Sequence, residues 1–274
     1  AARRYGASDR RFSLLAGAGA AGLTVAAAVV VLHPSASSGV GLGLPVAGVV
    51  GLLGIGVATA DYLGQDRRAV LLRGRYATDA LFIGLVGLLV GFLFSMTSYF
   101  VLADSGTIAE SGIGTVAFSL GLGVVAVGYL LVTDRGLDFL DVAWPTRRGW
   151  LYVLGGTVAM FALLASLGAL AEVLGIPSAE HGLVEQAREA PMLLLAFVPL
   201  SLLAIGPGEE LLSRNIVQKH LYDGFSRPAA VLVGTLVFAA IHLPAYATGP
   251  PPAVFATLLQ LFVISLVLGI VYER

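Results

Sequence analysis

The chain has 274 residues, of which 57% are hydrophobic and 12% charged, with a net charge of −1 and a mean hydropathy of +0.90. A soluble domain averages about 25% charged residues, so the composition points to an all-α, polytopic membrane bundle and argues against a soluble fold. The near-zero net charge offers no surface for nucleic acid, and the absence of cysteine excludes disulfides, thiol catalysis and cysteine-ligated metals.

In chain order, apolar runs fall near 12–32, 40–60, 80–102, 112–132, 150–174, 191–206, 228–243 and 253–272. A spanning helix needs about 20 apolar residues, so these runs predict about eight membrane segments, the sixth and seventh being short. The first follows Arg3, Arg4, Arg10 and Arg11. It is too long for the apolar region of a signal peptide and is read as a first transmembrane helix. Glycine is abundant at 35 residues, and pairs such as Gly39 with Gly43 and Gly87 with Gly91 suit close helix contacts.

Of the 16 basic residues, all but Arg188 fall before the first span, after the last, or on alternate connections. The positive-inside rule makes that side cytoplasmic. The expectation is a multi-pass protein of the cell membrane with its N terminus in the cytoplasm and membrane lipid around it. Trp144, Trp150 and Tyr152 flank the fifth span as interfacial aromatics do. The polar stretch 177–190 predicts a short surface helix. No internal repeat is evident, so one membrane domain is the simplest organisation.

Four ionisable side chains stand in or beside the most apolar third of the chain: Glu209, Glu210, Arg214 and His242. A charge at the bilayer centre costs about 2.5–3.5 kcal/mol on insertion scales, so such residues mark an ion path, a proton relay or a catalytic site. Gly206-Pro207-Gly208 precedes the glutamates and is able to open or kink the helix. Glu210 and Arg214 are spaced i, i+4 and share a face, which predicts a structural ion pair. Glu209 points about 100° away and is left to face a cavity. The plain alternative is a solvated helix end at the cytoplasmic interface. Phe238 lies one turn before His242 on an otherwise uncharged helix, and Leu243-Pro244 then ends that helix. A lone histidine at such a place is commonly a packing residue. Together with a glutamate on a neighbouring helix it becomes a candidate for activating water or binding a metal. His33, His181 and His220 have no such context and read as surface or interfacial residues.

Glu209-Glu210-x-x-x-Arg214 followed by Phe238-x-x-x-His242 resembles the first two motifs of the CPBP (ABI) intramembrane proteases, the family of the CAAX prenyl endopeptidase Rce1 and its prokaryotic relatives. The resemblance divides the chain into variable N-terminal helices, 1–149, and a protease core, 150–274. It implies an endopeptidase in which Glu209 and His242 hold and activate the attacking water, with Glu210 and Arg214 supporting them. It implies a divalent metal such as zinc on Glu209 and His242, if one is used, a place for Phe238 beside the substrate, and a peptide or protein substrate, lipid-anchored chains included. A third motif, His-x-x-x-Asn/Asp, is not found before Arg274, so the core is expected to be cut short at its C terminus. Two other functions fit the residues: an ion- or proton-coupled transporter, and a non-catalytic scaffold or immunity-type relative.

Overall fold

The computed structural model describes residues 66–102, 107–176, 191–246 and 249–274, together with Ala18, Gly19, Ala21 and Gly64. The expected spans at 12–32 and 40–60 and the helix expected at 177–190 lie outside these residues. The described residues are helical, with no strand among them. Helix α1 runs Arg67–Leu102, α2 Thr107–Val132 and α3 Arg147–Val173. A continuous helix over residues 192–221, α4, carries the first motif. Then come α5 at Arg227–Ile241, a short α6 at Leu243–Tyr246 and α7 at Pro251–Tyr272.

Among the described residues, four stretches are long and apolar enough to cross a membrane: Arg68–Ser98, Gly112–Val132, Arg147–Val173 and Pro251–Tyr272. Of the about eight segments expected from the sequence, these four are met, and two, at 12–32 and 40–60, lie outside the described residues. Helix α5 is shorter: its 15 residues cover about 22 Å against a hydrocarbon core of about 30 Å.

The elements begin and end where their chemistry dictates. Thr146 caps α3, its hydroxyl accepting from the Gly149 N–H at 3.0 Å. Gly175 ends α3 at φ +65°, a left-handed conformation that glycine adopts without a Cβ penalty. Proline stands in the first turn of α5 and of α7, where its missing N–H is no loss.

Helices α1 and α2 form a tight hairpin. A Cβ on Gly121 would lie 2.6 Å from the Gly91 Cα, so neither position has room for a side chain. The Gly87 and Gly91 reading is thus met: Gly91 faces Phe118 of α2, and Gly87 faces Leu122 of α2 and Leu212 of α4.

Helix α4 is the central rod. It packs on α1, α2, α5 and α7, and the seven residues from Leu212 to Gln218 are all buried. One core cluster gathers Leu122, Ala126 and Leu130 of α2 around Leu212 and Ile216 of α4. A second joins Ala80 of α1 to Val217 and Leu221 of α4 and Val237 and Ile241 of α5. Helix α3 packs on α7 and buries no residue of its own. Its exposed Leu151, Leu154, Val158 and Phe161 are the surface expected of a helix facing lipid.

Candidate active site

Helix α4 does not break at Gly206-Pro207-Gly208. Leu200, Ile205, Glu210 and Gln218 all hold right-handed helical angles, so the rod passes through the sequence that was expected to open it. Two π-helical stretches, Ser201–Ile205 and Leu211–Gln218, make this possible. The Gly206 N–H donates to the Ser201 carbonyl, five residues back. That wider register accommodates the Pro207 ring, which an α-turn would bring against a carbonyl. The single α-helical turn Gly206–Glu210 between the two π stretches holds both glutamates. π-turns recur at functional sites.

The surroundings of Arg214 are not those of a solvated side chain. Arg214 is 1% exposed. Its Nε stands 3.2 Å from Glu210 Oε2, the ion pair that the i, i+4 spacing predicts. The contact is electrostatic rather than a well-aligned hydrogen bond: Nε and Nη2 are both buried without a hydrogen-bond partner. The guanidinium carbon lies 5.4 Å from the centre of the Phe238 ring, within cation–π range. The Phe238 ring in turn stands 4.4 Å from the imidazole of His242, tilted by 39°. Phe238 is itself buried at 6% exposure, braced between the arginine of one motif and the histidine of the other.

His242 is oriented by its own helix. Its Nδ1 is 2.7 Å from the Phe238 carbonyl oxygen. A carbonyl only accepts, so Nδ1 carries the proton and donates it. In the neutral ring that leaves Nε2 unprotonated, with a lone pair for water or a metal.

Glu209 stands beside this chain of contacts. It lies within electrostatic range of Arg214 and of Glu210, and also of the Tyr246 phenol on α6. No hydrogen bond or ion pair joins Glu209 to His242 directly. Of the residues expected from the sequence, Glu210, Arg214, Phe238 and His242 are thus in one contact path, with Glu209 at its edge. Tyr246 was missed by the sequence reading; its one signal was its place four residues after His242, past a proline.

His220, read as a surface or interfacial residue, has a side chain only 13% exposed. Its Nδ1 is 3.1 Å from the Tyr129 hydroxyl, its ring 5.2 Å from that of Tyr76, and its Nε2 3.9 Å from Asp79 Oδ2. It joins α1 and α2 to the end of α4. A second joint is built on Asp141, which accepts from Lys219 Nζ at 2.9 Å and from the Tyr272 hydroxyl at 2.8 Å, while its N–H donates to Asn215 Oδ1 at 2.7 Å. A third is built on Glu273, which accepts from Gln218, from Tyr222 and from Arg227. All three joints lie at the same end of the bundle. The glutamates are at most about 15 Å along α4 from Lys219, and His242 is about 22 Å along α5 from Arg227.

A catalytic zinc takes three protein ligands. Glu209 and His242 offer two, Glu210 is engaged by Arg214, and among the described residues no group of three histidine, aspartate or glutamate side chains could hold a metal ion. The donor set among the described residues therefore does not make a metal cage.

No curated protein and no solved structure gives a significant match to the chain. A family model does match. It covers residues 191–274, the segment that carries Glu209, Glu210, Arg214, Phe238, His242 and Tyr246, and over that segment the chain is similar to the type II CAAX prenyl endopeptidase Rce1-like family.

Proposed function

We propose that the chain is an intramembrane endopeptidase that hydrolyses a peptide bond of a membrane-associated substrate, using a water activated by Glu209 and His242. The single observation that carries this reading is the unbroken path Glu210–Arg214–Phe238–His242, which sets the two motifs against each other inside the bundle. The Rce1-like match supports it at the level of a protease family.

In this mechanism a water sits between the Glu209 carboxylate and His242 Nε2. Glu209 takes one proton from it as general base while Nε2 accepts a hydrogen bond from the other. The oxygen attacks the scissile carbonyl carbon, and the carbonyl electron pair moves onto its oxygen. When the tetrahedral intermediate collapses, the C–N bond breaks, and Glu209 returns the proton to the leaving amine. Glu210 neutralises Arg214, and Arg214 positions Phe238 and so His242. A divalent metal, zinc among them, would supply Lewis acidity on Glu209 and His242, but with two such ligands no step here is routed through it. The substrate is a peptide or protein held at the membrane, lipid-anchored chains included. The protein is multi-pass in the cell membrane, with the basic end of the bundle facing the cytoplasm.

The test is cleavage of membrane-embedded reporter peptides by the purified chain in proteoliposomes. Glu209→Gln is expected to lower the rate by roughly 10²–10⁴-fold, the usual worth of general acid–base catalysis, with unchanged melting. Full activity in the variant rejects the role. Proton flux without peptide cleavage would favour a transporter, although an unbroken α4 lacks the split helix that transporters use to bind ions at mid-membrane.

A further inference from the structure

Helices α5 and α7 run antiparallel. Arg227 at the start of α5 pairs with Glu273 at the end of α7, at 3.0 Å. One turn further in, the helices are so close that a Cβ on Gly269 would lie 3.0 Å from Val231 Cγ1 and 3.1 Å from Gln218 Oε1. The next turn along each helix brings Thr235 of α5 and Ser265 of α7 to the same level, since Thr235 is four residues after Val231 and Ser265 four before Gly269.

Thr235 is 1% exposed and Ser265 0%, and neither hydroxyl has a hydrogen-bond partner. Several other hydroxyls among the described helices differ in this. Thr78, Thr97, Thr133 and Thr157 each donate to the carbonyl four residues back, at 2.7–2.9 Å. A buried hydroxyl left unpaired is costly, and unpaired groups of this kind in native proteins are commonly met by an internal water. Two of them on neighbouring helices, at one level and not bonded to each other, supply polar partners of the kind such a water needs.

We propose that the α5–α7 seam binds an internal water between the Thr235 and Ser265 hydroxyls. The site lies about 12 Å along α5 from Arg227 and about 10 Å short of His242. At one end of the seam stands buried Gln218, bonded to Glu273 and Tyr222. Resting on the hydrolytic reading, this water is a station on the route by which water consumed at Glu209 and His242 enters from the polar end of the bundle. The binding site itself needs no such reading.

Water-edited solid-state NMR on the isotopically labelled full chain in proteoliposomes tests it, with water as the probe. Magnetisation from water is expected to reach Thr235 and Ser265 about as fast as it reaches Gln218, and well before it reaches dry Ile216. Thr235→Ser, which keeps the hydroxyl, should retain the fast transfer to Ser265, and the double variant Thr235→Val, Ser265→Ala should lose fast transfer to neighbouring Val231 and Gly269. Transfer to Thr235 and Ser265 as slow as to Ile216 would overturn the proposal, the hydroxyls then being turned onto the carbonyls of Val231 and Leu261. A chain without protease activity would still give the fast transfer, so failure of the catalytic reading and failure of the water site are separable.

Discussion

Arg214 is the residue on which the site's architecture depends. A fully buried guanidinium with one acidic partner at 3.2 Å and one aromatic face beneath it is held by charge and shape together. Breaking a buried pair by removing one partner costs about 3–5 kcal/mol, because the other charge is left uncompensated. Glu210 keeps some solvent contact, so Arg214→Ala should cost somewhat less, about 2–4 kcal/mol. Arg214→Lys retains the charge but not the planar group that lies over Phe238. It is expected to melt closer to the parent than Arg214→Ala does, while losing most peptide cleavage because His242 is no longer braced. Thermal unfolding and cleavage measured on both variants check this, and a lysine variant with full activity would remove the bracing role.

The residue scale also shows how far the sequence could be read. Glu210 with Arg214 was legible because i, i+4 spacing alone puts two side chains on one helix face. His242 was legible only beside the glutamates. His220 was not, since nothing near it in the sequence announces Tyr76 and Tyr129, which come from helices 91 and more residues away. Long-range packing decides whether a histidine is covered, and a single sequence carries little of it.

At the scale of elements, the π segments were invisible in the sequence. Gly206-Pro207-Gly208 has the composition of a helix break. What keeps the helix whole is the i, i+5 register, which composition does not encode. The hairpin of α1 and α2 was easier to read, because glycines four apart on a membrane helix signal close approach, and here Gly91 and Gly121 meet backbone to backbone. The polar joints at the end of the bundle carry a pH dependence. The Lys219 ammonium holds the Asp141 carboxyl below the usual carboxylate range, against a smaller opposing effect of burial, with Tyr272 assisting Lys219. Burial works against the charge of Glu273, but the bonds from Tyr222, Arg227 and Gln218 outweigh it and hold that carboxyl low as well. A carboxyl whose folded value is depressed adds stability above its unfolded value, near 4. That stability is lost as pH falls through the lower folded value. Melting in detergent should therefore be level from pH 7 to about 5 and fall below about 4. Glu273→Gln should lower stability at neutral pH by about 1–2 kcal/mol, as for lost charged hydrogen bonds, and shrink the acid-side fall. An acid limb of unchanged size in that variant would show that α7 is not tied to α4 through Glu273.

At the scale of the whole molecule, an all-helical bundle of membrane-spanning character followed from composition and apolar run length, and the four apolar helices fit it. Helix α4 threads the centre of the bundle with a polar, buried C-terminal half that hydropathy does not recognise as part of the interior. That placement sets Arg214 against Phe238 and, through it, His242, while Glu209 and His242 stand on α4 and at the end of α5. If they act on a single water, neither is of use without the other, and effects of residues that work as a unit are far from additive. The direct measurement is the cleavage rate of one membrane-embedded peptide by the parent chain, Glu209→Gln, His242→Gln and the double variant, all matched for melting temperature. The expected result is a loss of roughly 10²-fold or more in each single variant and no further loss in the double. Losses that multiply, or a single variant that cleaves like the parent, would contradict it.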